Sequence, residues 1–194
     1  MTSLPSFDRA AAAVSRVVSA VQPDQWELPT ACTSWNVRAV FEHLVHGNLR
    51  TAAWARGEPP PESPPPWDDA PEVFARSLSV LREALADPGL PGRTVHVPFG
   101  DVPGAMLVPI RVNELLVHGW DIADATGQST DLEPDLAEEA LSSWAARFGD
   151  APRPPGGPFG PPVPAPAGAS AADRLAAFLG RRSVRAPDDA ETFR

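Results

Sequence analysis

Leu107 to Ile122 reads LVPIRVNELLVHGWDI, a stretch that would be apolar on nearly every side of a helix. Such a helix has no face to give to water, so the chain has to fold around it. Four ionisable residues nevertheless stand inside it or at its end: Arg111, Glu114, His118 and Asp121. Glu114 and His118 are four residues apart and so share one face. A second helical stretch, Trp35 to Trp54, carries His43 in FEHLVHG. Burying a carboxylate and two imidazoles without partners is costly. One cation bound by His43, Glu114 and His118 together removes that cost. Two histidines and a glutamate that leave one coordination position open form a recurrent catalytic-zinc pattern. The spacing also admits a plainer reading, because E-x-x-x-H arises easily by chance. A buried salt bridge or a satisfied core pair would use the same residues.

Neighbouring residues carry the same two-sided reading. His43 lies one position from the apolar stripe at Leu44, and Gly47 leaves space beside it one turn later; His46 is the rival ligand. Arg111 shares the face of Glu114 and His118. It could hold a substrate carboxylate in bidentate fashion, or simply pair with Glu42 or Asp121. Asp121 follows His118 by three residues and could orient it as a ligand, or serve as a surface or capping residue. His96 reads as structural or solvent-exposed. Cys32 precedes a helix start, where a thiolate is favoured, but a lone cysteine is more often packed and inert.

The rest of the chain reads as helices separated by proline-rich breaks. Phe7, Val14, Val18 and Val21 repeat at helical spacing up to Pro23. Thr33 or Ser34 is expected to cap the second helix, with Val37, Phe41, Leu44 and Val45 as its apolar face. GEPPPESPPPWDDAP then forms a connector that cannot be helical. Asp69 with Glu72 resembles a capping box opening a third helix. Residues 92–106 predict a short hairpin or extended loop. Pro109 fits the first turn of the fourth helix. Leu136, Ala140, Leu141, Trp144 and Phe148 mark a fifth. Residues 149–168 are rich in Pro and Gly and are expected to run extended over the surface. A short helix should start at Ser170 and Asp173 and stop at Gly180. The last dozen residues are expected to be loose. The expected division is a bundle over residues 1–148 and a Pro/Gly-rich extension over 149–194, whose short helix packs on the same domain.

Composition narrows the functional classes. The net charge is −9, and every one of the 16 basic residues is Arg. An acidic chain without a basic face argues against nucleic acid as a partner. One cysteine rules out an internal disulfide framework and a Cys-rich zinc site. No apolar stretch of about 18 residues and no signal peptide are visible, so a soluble cytoplasmic protein without membrane contact is expected.

Two segments together have a familiar form. Thr30-Ala31-Cys32, Trp35-Asn36-Val37-Arg38 and His43-Leu44-Val45-His46-Gly47-Asn48 resemble the first signature of the DinB-like superfamily, in its actinobacterial branch near mycothiol-dependent maleylpyruvate isomerase. Glu114 to Ala123 with Ala125-Thr126-Gly127 resembles the second signature. Val163-Pro164-Ala165-Pro166 and Asp173 to Arg181 resemble the end of a subfamily in that group. The resemblance implies an all-α, up-down-down-up four-helix bundle with a divalent metal held by His43, Glu114 and His118. It implies activation of a low-molecular-weight thiol, mycothiol first, for transfer or isomerisation. Ala31 stands where many relatives carry Pro. The tail does not match the larger C-terminal domain of the isomerase itself, which argues against maleylpyruvate as substrate. The expectation is therefore a metal-dependent thiol transferase or isomerase acting on a small electrophile. Zinc is the first choice, with nickel, iron or manganese as alternatives. The competing expectations are a non-catalytic small-molecule binder or sensor, and a thiol-independent biosynthetic enzyme using the same pocket. Either leaves room for a homodimer.

Overall fold

The structure is a computed structural model and describes residues 3–149, 153 and 159–185. Among these residues six α-helices follow one another: α1 (Leu4–Ser19), α2 (Val37–Arg56), α3 (Ala70–Leu85), α4 (Leu107–Thr126), α5 (Pro134–Phe148) and α6 (Ala171–Phe178). Between α3 and α4 lies one hairpin, β1 (Thr94–Val97) against β2 (Gly100–Pro103), with Thr94 opposite Pro103 and Val97 opposite Gly100. Residues 92–106 allow a hairpin or an extended loop, and the hairpin is what forms.

Local chemistry sets the helix ends. The Asp69 carboxylate accepts from the Glu72 amide at 2.9 Å and opens α3. Ser170 and Asp173 cap α6 reciprocally. The cap of α2 differs from expectation: Asn36, not Thr33 or Ser34, accepts from the Ala39 amide at 2.9 Å. The reason is a tight turn just before it. The Trp35 amide donates to the Cys32 carbonyl at 2.7 Å, and the Thr30 hydroxyl donates to the Trp35 carbonyl at 2.8 Å. Thr33 and Ser34 are spent inside that turn, so the helix starts only after it.

Cross-helix contacts give each helix its direction. Phe41 lies near Phe74 at the start of α3, and the Arg56 guanidinium reaches the Val80 carbonyl near its end, so α2 and α3 run parallel. Arg82 pairs with Asp8, which makes α1 antiparallel to α3. Gln128, just past α4, donates to the Val17 carbonyl near the end of α1, so these two are parallel. His43 faces Glu114 while Asn48 faces Arg111, so α2 and α4 are antiparallel. The result is an up-down-down-up four-helix bundle. Its interior is filled by Phe7, Phe41, Leu44, Phe74, Leu81, Leu115 and Ile122, all essentially inaccessible.

Parallel neighbours need a connection that travels back along the bundle. Residues 57–69 make it, in the direction opposite to α2: the Pro61 carbonyl meets His46, and the Trp67 indole donates to Glu42 at 3.1 Å. Trp67 then stacks among Trp26 and Phe41. Proline suits this run because an extended polyproline segment gains about 3.1 Å per residue at little entropic cost.

Outside the bundle, α5 and α6 pack on each other. Asp173 ties α6 to α4, accepting from the Trp120 indole at 2.8 Å and the Thr130 hydroxyl at 2.7 Å. The tail is expected to be loose from about Ser183, but residues 183–185 are fastened. The Ser183 hydroxyl and the Val184 amide both donate to Asp124, at 2.5 and 2.8 Å. Residues 186–194, and 150–152 with 154–158 of the expected surface run, lie outside the described residues. Among the described residues no helix is long and apolar enough to cross a membrane.

The return path yields a test. Asn48 bonds Ser77 at 2.9 Å, which fixes the relative height of α2 and α3. Fifteen helical positions then separate the end of α2 from the start of α3 along the axis, about 22 Å at 1.5 Å per residue, and the roughly 8–10 Å between packed helices brings the span to about 24 Å. Deleting residues 59–66 leaves five linker residues, whose six Cα–Cα steps span roughly 20–22 Å fully extended. The deletion variant should lose its cooperative melt by circular dichroism, whereas serine in place of Pro59, Pro60 and Pro61 should shift the midpoint by only a few degrees. A wild-type melt in the deletion variant would contradict the parallel arrangement.

Candidate metal centre

The antiparallel pair α2 and α4 brings His43, Glu114 and His118 to one point. His43 Nε2 lies 2.9 Å from Glu114 Oε2, and His118 Nε2 lies 3.8 Å from the same oxygen. One ligand atom from each residue can be chosen so that all lie within 4.8 Å of one another. Nitrogen and oxygen donors around a tetrahedral zinc sit about 3.3 Å apart, given bond lengths near 2.0–2.1 Å. The observed separations bracket that value, so the donor set fits a divalent cation after small side-chain adjustments. His43 and Glu114 keep 35 % and 30 % of their side-chain surface, so the point is reachable from solvent. His118 is buried behind them.

Electrostatics prepares these groups as ligands. Burial pushes the His43 imidazolium toward neutrality, and nearby His118 adds to that, against the opposing pull of Glu114. A neutral imidazole is the form that binds metal. Burial alone would raise the Glu114 carboxyl, but the hydrogen bond from His43 and the charges of His118 and Arg111 outweigh it, leaving it at about 2. Glu114 is therefore anionic at neutral pH. With its proton on Nε2, His43 donates to Glu114; a cation held by these residues would take the place of that proton.

Asp121, on the same helix one turn further, sits behind His118. Its Oδ2 lies 2.9 Å from His118 Nδ1, and its side chain has no exposed surface. A carboxylate there favours the tautomer with the proton on Nδ1, which turns the unprotonated Nε2 toward Glu114. On the other side of Asp121 stands Arg181, which no pattern in the sequence brings to the site.

Arg111 lies deeper than its place on the ligand face suggests. Its side chain is 4 % exposed and lies on the inner side of Glu114, 3.9 Å away. Its guanidinium donates to Asn48 Oδ1 at 2.8 Å and to the Leu44 carbonyl at 3.4 Å, and not to the expected Glu42 or Asp121. Glu42 accepts from Trp67 instead. Gly47 makes room for Arg111, since a Cβ at that position would lie 2.6 Å from Arg111 Nη1. Asn48 continues to the Ser77 hydroxyl, so a buried polar chain runs from Glu114 across the core to α3.

The remaining candidates separate cleanly. His46, the rival ligand, points the other way and bonds the Pro61 carbonyl at 2.9 Å. His96 pairs with Asp101 on the exposed hairpin. Cys32 lies in the turn before α2, four residues ahead of the Asn36 cap. Burial and the negative charge of Asp121 push its thiol up, so it is held as a thiol and not a thiolate. Trp35 walls the site, its ring 4.7 Å from that of His43 and 5.7 Å from that of His118. With six tryptophans in the chain, nothing in the sequence singles it out.

Known proteins bear on this arrangement in three ways. The family model described as the mycothiol maleylpyruvate isomerase N-terminal domain matches residues 7–123, a span that holds His43, Glu114, His118 and Asp121. An uncharacterized protein of Mycobacterium tuberculosis, from strain ATCC 25618 / H37Rv and equally from strain CDC 1551 / Oshkosh, is 39 % identical over 181 residues. That alignment covers 93 % of this chain and 98 % of the relative. Two crystal structures share the fold, one of the mycothiol-dependent maleylpyruvate isomerase and one of a histidine-to-alanine mutant of it. Their TM-scores are 0.56 and 0.57 at 17 % and 16 % identity, over 74 % of this chain and 70 % of theirs. A match spanning well over half of the chain, around the very residues that converge between α2 and α4, places the chain in the mycothiol maleylpyruvate isomerase N-terminal domain family.

Proposed function

We propose that this protein is a metal-dependent enzyme that activates a low-molecular-weight thiol for transfer to, or isomerisation of, a small electrophilic metabolite. The convergence of His43, Glu114 and His118 at a solvent-reachable point carries the reading. Mycothiol is the first thiol to consider, because the structural neighbours are named for their dependence on it. A divalent cation, zinc by the chemistry of the donor set, would supply the positive charge that favours a thiolate over a thiol at neutral pH.

The chain's own residues do the rest. His43 presents a neutral imidazole, His118 turns its Nε2 toward the same point, and Glu114 contributes one negative charge. Asp121 keeps the His118 proton away from the metal-facing nitrogen. Arg111 balances Glu114 from within the core, and Arg181 balances Asp121. The two carboxylates and two guanidiniums cancel, so a bound dication leaves the site net positive. Such a site favours an anionic thiol or an electrophile bearing a carboxylate. Trp35 offers an apolar wall beside the histidines and limits access of water.

The direct test joins metal content to thiol use. The purified protein should hold close to one divalent ion per chain by elemental analysis, and it should consume mycothiol in the presence of an electrophile panel. His43→Ala and His118→Ala should each remove most of the metal and the turnover, while His46→Ala should retain both. Metal retained when His43, Glu114 and His118 are all replaced by Ala would refute the site. Metal without thiol-dependent turnover would make the protein a binder.

Arg111 gives an independent check. Its guanidinium is buried against Glu114, so Arg111→Ala leaves a cavity and an uncompensated carboxylate. The loss should destabilise the fold by about 3 kcal/mol and lower metal occupancy. An unchanged thermal midpoint with full metal and a raised KM for an anionic substrate would instead return Arg111 to the substrate site.

A further inference from the structure

The C-terminal segment after α6 reaches the metal centre, although it lies more than fifty residues beyond the span that the family model matches. Gly180 ends α6 in the left-handed region at φ 85°, and Arg181 closes the turn by donating its amide to the Ala176 carbonyl. A side chain at Gly180 would collide with the backbone of Gly160 at 2.8 Å, so only glycine allows this close crossing. The turn aims the Arg181 side chain inward, where it is 6 % exposed and its guanidinium lies 5.7 Å from the Phe159 ring. Arg181 Nε lies 3.4 Å from Asp121 Oδ1, and Nη2 lies 3.5 Å from Oδ2. The same Oδ2 holds His118 Nδ1 at 2.9 Å. One turn further along α4, Asp124 fastens Ser183 and Val184, so the segment is strapped to α4 at two successive carboxylates.

We propose that Arg181 is a positioning residue for the metal centre, a fork on Asp121 that fixes the carboxylate and through it the ring orientation and tautomer of His118. The proposal rests on the reading of His118 as a metal ligand. Two side-on contacts from a planar guanidinium restrict rotation of the Asp121 carboxylate, which a single contact to His118 would not. Without the fork the carboxylate swings away from Nδ1, the imidazole proton spreads over both nitrogens, and Nε2 is no longer held bare. Partners one step behind a metal ligand commonly govern affinity by 10- to 100-fold.

Two readouts test this. In metal-free protein, nitrogen-15 shifts of the His118 ring should report a proton fixed on Nδ1 in the wild type and a mixture in Arg181→Ala. Zinc titrated against a competing chelator should bind roughly 10- to 100-fold more weakly to Arg181→Ala, with partial recovery in Arg181→Lys. In an Asp121→Ala background, Arg181→Ala should add no further loss. Ser183→Ala loosens the same strap at Asp124, and it should lower the thermal midpoint while leaving both the tautomer and the zinc affinity at wild-type values. An unchanged tautomer in Arg181→Ala, or an equal loss of zinc affinity in Ser183→Ala, would overturn the proposal. If the wild type takes up no zinc but Arg181→Ala still shifts the His118 proton, the functional reading fails and the fork stands.

Discussion

A helix that is buried on nearly every side cannot carry charge unless each charge is answered by a partner. In α4 every one is. Arg111 is met by Asn48 and Glu114, Glu114 by His43, and His118 by Asp121. Asp121 is met by Arg181, and Asp124 by Ser183 and Val184. The partners come from α2 on one side and from the C-terminal strap on the other. A slip of α4 by one turn against either would strand several buried polar groups at once, at about 1–3 kcal/mol each. The ladder therefore fixes register, while apolar contacts among Phe41, Phe74 and Leu115 supply the bulk of the stability.

The same ladder sorts the chemistry by depth. Arg111 and Arg181 lie behind the carboxylates they balance, and His43 and Glu114 keep some access to solvent. A substrate would meet the His43, Glu114 and Trp35 side of the centre and would not meet the guanidiniums. Net charge at the site thus depends on what is bound there, since the permanent charges cancel.

Much of this was legible in the sequence. Helical periodicity marked four apolar stripes, and proline marked the connector between α2 and α3, because both rest on backbone geometry that repeats locally. The four-residue spacing of Glu114 and His118 told which face they share. Depth is another matter. The three-residue spacing of Arg111 and Glu114 puts Arg111 on the ligand face, but only the empty position at Gly47 on a different helix lets it turn inward. The Asn36 cap was hidden because Thr33 and Ser34 are equally good caps until the turn at Thr30 to Trp35 consumes them. Arg181 is sixty residues from Asp121, and no local pattern announces a contact at that separation. The resemblance to a known family supplied the bundle topology, which periodicity alone could not have ordered.

X-ray absorption at the metal edge of the purified protein tests the central claim most directly, because it reads the ligand atoms themselves. The arrangement of His43, Glu114 and His118 calls for two imidazoles and a carboxylate around the ion, with no protein sulfur while Cys32 remains a half-buried thiol. Histidine scattering should fall to a single ring in His43→Gln protein that still holds metal. A spectrum dominated by sulfur in protein free of added thiol, or one still fitted by two imidazoles in His43→Gln, would contradict the account.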